Sequence, residues 1–223
     1  MCISYFLSSL VTELFLGHFF IIHINYIILN PTELLNLIKG ILVNPEKEWK
    51  IIKTFKYTWQ QVYFYFTIPM VFISAFASLV IHGGDIQYFG LSPNWIFVIN
   101  VIGSLGAIAL GAYFIASLAP RFNSFSSFDA SVALISFSYT PVFIASIISA
   151  IHIAFALINF IGVVYMVFIF WKGISIMLDT PPHKLMGFTI VNMIILFAVR
   201  IVLTSIIAAI VLSLTVGVDD LPV

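Results

Sequence analysis

The chain has 223 residues, 62% of them hydrophobic and 8% charged, with a formal net charge of zero and a mean hydropathy of +1.16. An ordinary soluble domain carries roughly 25% charged residues, and no soluble core hides so much apolar surface, so composition excludes a water-soluble globule. Zero net charge argues against nucleic acid as a partner, since neutralising phosphates takes a surplus of clustered cations, and the lone Cys2 excludes an internal disulfide or a cysteine-based zinc site.

Residues 1–30 fit no simple pattern. Leu14 to Leu29 is apolar but only about 16 residues long, short of a spanning helix. It is interrupted by His18, His23 and Asn25 and lacks the positive start and small-residue cleavage site of a signal peptide. A marginal sixth span, an interfacial segment and a start-site artefact upstream of the native protein all stay open for it.

Residues 31–60 differ in kind. Leu34, Leu35, Ile38, Ile41 and Leu42 recur at helical spacing opposite Glu33, Asn36 and Lys39, which predicts an amphipathic helix. Asn44 caps a second short helix with Pro45 in its first turn and Glu46 and Glu48 near its positive end. Trp49, Ile52, Phe55 and Trp59 line one side of it, with Lys47, Lys50, Lys53 and Lys56 spread around it. Both helices read as lying in the headgroup layer, either as a linker that anchors the first span or as a docking surface for a cytosolic partner or anionic lipid.

Crossing about 30 Å of hydrocarbon takes about 20 apolar residues, and five segments qualify. They are Val62 to Ile81, Trp95 to Leu118, two spans within the run Ala130 to Leu178, and Phe188 to Leu214. The double-length run needs a hairpin, expected near His152, with Asn159 to Gly162 as the other candidate. The paired Pro181 and Pro182 stop the fourth span. The fold expected is therefore all-α: a polytopic transmembrane bundle of five spans (residues 61–216), preceded by amphipathic interfacial helices and followed by a short tail (217–223).

Cations set the orientation, because positive residues stay on the cytoplasmic side. Lys39, Lys47, Lys50, Lys53, Lys56, Arg121, Lys172 and Lys184 all fall on one side of a five-span arrangement, whereas the other side carries Asp85, Asp219 and Asp220. The basic N-terminal segment is thus expected in the cytosol of a cell membrane and the C-terminus outside.

Catalytic constellations are absent: no His-Glu-x-x-His, no Gly-x-Ser-x-Gly and no Gly-rich phosphate loop with a lysine. His18, His23, His82, His152 and His183 are scattered, so neither a metal nor another cofactor is expected. Arg200 stands out, because the fifth span carries it to about the bilayer midplane, where insertion costs roughly 2.5–3.5 kcal/mol and the side chain must face the bundle interior. Asn100, Asn159 and Thr204 are its candidate partners, in a structural hydrogen-bond hub or in a wet site for an anion or a lipid headgroup. Gly103, Ala107 and Gly111, four residues apart, form a small-residue seam for close helix approach, inside the bundle or between copies. Pro69 and Pro141 kink the first and third spans, and aligning them superposes Ser74 on Ser146, the trace of a parallel two-helix repeat.

Three stretches carry a family resemblance: "LIKGILVNPEKEWKIIK" from Leu37 to Lys53, "SYTPVF" around Pro141, and "LDTPPHK" from Leu178 to Lys184. With the span count they resemble the Yip family, Ypt/Rab-GTPase-interacting membrane proteins of five spans, in its prokaryotic branch. Asn44, Pro45 and Trp49, and Thr180, Pro181 and Pro182, are the motif positions. The resemblance implies a cytosolic N-terminal segment, five spans and a far-side C-terminus. Eukaryotic relatives are associated with Rab GTPases, trafficking and membrane shaping. Their Asp-Leu-Tyr-Gly-Pro motif is missing here, with "NPEKEW" in a comparable place, which argues against a Rab-type partner. The expected activity is non-enzymatic: membrane organisation or scaffolding through a basic cytosolic face, with the lipid bilayer, other membrane proteins or a second copy as partners. A small channel or transporter-like component with a polar cavity around Arg200 is the alternative.

Overall fold

The computed structural model describes residues 31–82, 91–151 and 155–219, and every element among them is helical. In chain order these are α1 (Pro31–Val43), α2 (Pro45–Phe55), α3 (Trp59–Val62), a π-helical turn (Tyr63–Thr67), α4 (Ile68–His82), α5 (Pro93–Leu118), a 3-10 turn (Ala119–Phe122), α6 (Phe128–Ser138), α7 (Thr140–Ile151), α8 (Ala156–Met177) and α9 (Pro182–Asp219). The chain divides into two units, Met1–Lys39 and Gly40–Val223, with the boundary inside α1.

Local chemistry sets the helix starts. Asn44 accepts a hydrogen bond from the Lys47 amide at 3.2 Å, and Pro45 occupies the first turn of α2, where a missing N–H costs nothing. Thr58 and Gln61 form a reciprocal capping box at α3, and Ser127 caps α6 through the Ala130 amide. Pro182 opens α9 rather than ending a loop, so the last helix starts six residues earlier than the apolar run suggests and is 38 residues long. The fixed φ of proline suits a first helical turn, which is why the second proline of the pair initiates what the first helps to separate.

The regular α-helix is interrupted near both mid-chain prolines, each with a threonine one or two residues ahead. Pro141 cannot donate to the Phe137 carbonyl, and the Thr140 hydroxyl takes that acceptor at 2.7 Å where α6 breaks into α7. Ahead of Pro69 the backbone widens into the π-turn, and Thr67 donates to the Val62 carbonyl at 3.2 Å.

Because of that π-turn, the first expected span is not one continuous α-helix: α4 alone is 15 residues long. Four helical stretches among the described residues are long and apolar enough to cross a membrane: Pro93–Phe122, Phe128–Ala150, Leu157–Met177 and Pro182–Thr215. Within Ala130 to Leu178 the helix stops at Ile151 and resumes at Ala156, while Asn159 to Gly162 lies inside α8. His152 itself, like residues 1–30 and Asp85, falls outside the described residues.

Packing within the second unit is a ring with a filled base. α4 packs on α5, α5 on α9, α9 on α8, α8 on α7 and α7 on α4. α6 lies against α5 and α8, with every residue from Ser131 to Ser138 buried. Outward, Ile190, Ile194, Ile201, Val202 and Ile206 of α9 are each at least half exposed, an apolar face suited to hydrocarbon rather than water.

Candidate functional site

At one end of the bundle α2 docks on α8. Trp49 is fully buried, its indole N–H donates to the Ile169 carbonyl at 3.0 Å, and its ring lies 6.4 Å from Phe137. Gly173 makes room for it: a Cβ there would stand 2.7 Å from the indole and 2.5 Å from Leu134. Ile52 is buried beside it, whereas Phe55 stays 58% exposed. The apolar face of α2 is therefore spent largely on α8, not left free for the headgroup layer.

Charged groups close the rim of this junction. Lys53 reaches the C-terminal end of α8, where it donates to the Ile176 carbonyl at 2.8 Å and pairs with Asp179 at 2.6 Å, a cation at the negative end of a helix. Glu46 sits between Lys50 at 3.3 Å and Lys172 at 3.5 Å, and these two cations hold its carboxyl below the usual carboxylate range. Glu48 lies over Gly40, and burial pushes its carboxyl up. Asp179 adopts a left-handed φ of 48°, which turns the chain out of α8. Thr180 then shares a hydrogen bond with Ser124 at 2.8 Å, and the Phe125 amide donates to the Leu178 carbonyl at 2.7 Å. The stretches Leu37 to Lys53 and Leu178 to Lys184 thus meet at one junction through Lys53 and Asp179. A cleft of about 460 Å³ beside it is lined by Lys53, Lys56, Tyr57, Asp129 and Asp179 among others. Lys47, Lys50 and Lys56 are exposed around it, and Lys39 is exposed on α1.

A second polar site lies towards the other end of α8. Arg200 bridges α9 to α5, donating to the Asn100 side-chain oxygen at 3.2 Å and to the Ser104 hydroxyl. Ser104 in turn donates to the Asn100 carbonyl at 2.6 Å. Thr204 does not serve the guanidinium; it donates to Arg200's own carbonyl at 2.6 Å. Asn159 is tied to α7, accepting from Ser146 at 3.2 Å and donating to Ser149 at 2.8 Å. Both groups line one cavity of about 480 Å³, together with Ser74, Tyr139, Ser146 and Ser149. Sequence reasoning missed Ser104, although it stands one helical turn from Asn100 and so shares its face.

The small-residue seam packs α5 on α9. A Cβ at Gly103 would come within 2.7 Å of Thr204, and one at Gly111 would clash with Leu196, while Ala107 is buried between them. Pro141 meets α8 at Gly162, where a Cβ would be 3.0 Å from the Pro141 carbonyl. Among the described residues no group of His, Cys, Asp and Glu is placed to hold a metal.

Compared with protein-family models, residues 39–207 match the Yip1 domain, a span that takes in both sites and most of the chain. The chain belongs to the Yip1 family. Neither the curated proteins nor the solved structures gave a match. The Yip1 region begins at Lys39, immediately before the compact unit, and ends at Ile207, one turn beyond Thr204. Together with the four apolar helices, the family makes this an integral membrane protein.

Proposed function

We propose that this Yip1-family protein is a non-enzymatic, five-span membrane organiser that presents a rigid basic platform to the cytosol. The fifth span comes from the helical continuity of α3, the π-turn and α4 between Trp59 and His82. Counting it puts α2, the 119–123 turn and the α8–α9 connection on one side, and Lys53–Asp179 and Lys184–Asn123 contacts do gather these cation-bearing pieces together. By the positive-inside rule that side faces the cytosol, and the C-terminus lies outside. A reporter fused after Val223 should read external; a cytoplasmic reading sinks the topology.

The docking of Trp49 carries the proposal. It fixes α2 to the bundle at a single rotation, so Lys47, Lys50 and Lys56 project from a preorganised surface able to hold anionic lipid or an acidic face of another membrane protein. The test is reconstitution into vesicles of mixed neutral and anionic lipid, with vesicle shape followed by electron microscopy and protein clustering by crosslinking. Reversing the three lysines to glutamate should abolish any reshaping or clustering; identical behaviour of the two proteins removes the platform.

The cavity around Arg200 supports a second reading, a small channel or transporter-like component. α6 fills the bundle below that cavity, which weighs against a continuous path. Flux of small anions into proteoliposomes above that of empty vesicles would favour transport over scaffolding.

A further inference from the structure

Among the described residues the charge at Arg200 has no counter-charge. Among the described residues the ion pairs all lie at the α2 junction, and no carboxylate lines the cavity that Arg200 enters. A guanidinium carries five N–H donors, and the Asn100 and Ser104 bonds take two of them with neutral acceptors, which orient the group without neutralising it. A cation held out of bulk water without an anion is costly, and in a membrane bundle such a residue normally marks a ligand or ion site.

Depth narrows the ligand. Measured from Phe188, where the apolar run begins, Arg200 lies about 18 Å along α9, just past the middle of a hydrocarbon core about 30 Å thick. Asn100 is correspondingly about 10 Å from the start of α5 at Pro93. That level is within reach of headgroups of the far leaflet.

The walls narrow it further. Opposite chemistry shares the cavity: hydroxyl and amide groups of Ser146, Ser149 and Asn159 on one hand, and apolar Val71, Ile108 and Phe197 on the other. At about 480 Å³ the space exceeds a bare inorganic ion and falls within the usual range for small-molecule sites. Guanidinium matches phosphate in fork geometry, and surrounding hydroxyls suit a tetrahedral group with several oxygens better than a planar carboxylate.

We propose that this cavity binds the phosphate group of an anionic phosphoester, with Arg200 as the charge partner, Asn100 and Ser104 as its positioning residues, and the apolar wall receiving the organic part. A glycerophospholipid of the far leaflet and a water-soluble phosphate ester share this chemistry. The site does not depend on whether the protein organises membrane or conducts.

The test uses the full chain in mild detergent, stripped of native lipid, and two variants. Arg200→Gln removes the charge; Ala75→Leu keeps it and fills the cavity wall that Ala75 lines. Thermal unfolding and native mass spectrometry are followed on adding phosphatidylglycerol, phosphatidylcholine or inorganic phosphate. The unsubstituted protein should be stabilised by, and retain, phosphatidylglycerol over phosphatidylcholine, and both variants should bind about tenfold or more weakly, Arg200→Gln through loss of a charge-assisted contact and Ala75→Leu through loss of the space. Stabilisation by inorganic phosphate, lost in both variants, assigns the site to a soluble ester; an effect of phosphatidylglycerol alone assigns it to lipid. Equal responses in all three proteins overturn the proposal, as does binding lost in Arg200→Gln but intact in Ala75→Leu, which puts the anion outside the cavity. Where Arg200→Gln does not fold, Ala75→Leu carries the decision.

Discussion

The α2 junction and the Arg200 cavity are built from similar side chains to opposite ends. At the junction the charges that touch the bundle are matched, Lys53 with Asp179 and Glu46 with Lys50 and Lys172, and the space beneath is filled by Trp49 against a glycine. At the cavity a single cation meets neutral oxygens and empty volume. Complementary charge over close packing is what a fixed joint requires; unmatched charge beside unfilled space is what a receptor for something else requires. The contrast separates stability from ligand binding within one bundle.

It can be broken at its strongest point. Trp49→Ala should cost about 3–5 kcal/mol, the usual penalty for deleting a fully buried tryptophan, measured by reversible unfolding in mixed micelles. A loss below 1 kcal/mol, on the order of an exposed substitution, would show that α2 is not fixed by this contact. Next in size, Gly173→Ala should cost about 1–3 kcal/mol because the new methyl meets Trp49 and Leu134, and Gly111→Leu should cost at least as much through Leu196. Ala75→Leu at the cavity sharpens the comparison, since it adds bulk where there is room and should stay within about 1 kcal/mol of the starting protein. If it destabilises as much as Gly173→Ala, the cavity is not open space.

The smallest effect concerns the rim. Lys53→Gln should lower stability by about 0.2–1 kcal/mol, less at high salt, because the pair with Asp179 is largely exposed. For Glu46 the folded-state carboxyl titrates below its unfolded value, so its contribution is present above the ordinary carboxylate range and is lost as pH falls through and below it. Glu46→Gln should flatten this acid limb by lowering stability slightly at neutral pH while leaving the most acidic end almost unchanged. An unaltered acid limb removes the Lys50 and Lys172 pairing from the account.

Helix starts were legible because their chemistry is local. Asn44 before Pro45 announces its helix within four residues, and Pro141 stands where α6 gives way to α7. That the run Ala130 to Leu178 divides into separate helices followed from its length alone. What the sequence could not disclose depends on pairs far apart in the chain. Trp49 sits in a pattern that suits lipid as well as protein, and only Gly173, more than 120 residues away, decides between them. Asn159 was a reasonable partner for Arg200 by polarity, yet Ser146 and Ser149 on the adjoining α7 take its side-chain oxygen and nitrogen. The π-turn before Pro69 was hidden too, because an inserted backbone residue leaves no mark in hydropathy.

α9 runs for 38 residues, about 57 Å of helix, and it is largely uncovered along the stretch suited to lipid. A bilayer about 30 Å thick cannot enclose such a rod held upright. Either the rod leans steeply, or the surrounding acyl chains stretch to meet it, or its far end stands clear of the surface, and each outcome carries an elastic cost. The length of this one helix is therefore expected to favour deep hydrocarbon over shallow, by fractions of a kcal/mol for each ångström of mismatch.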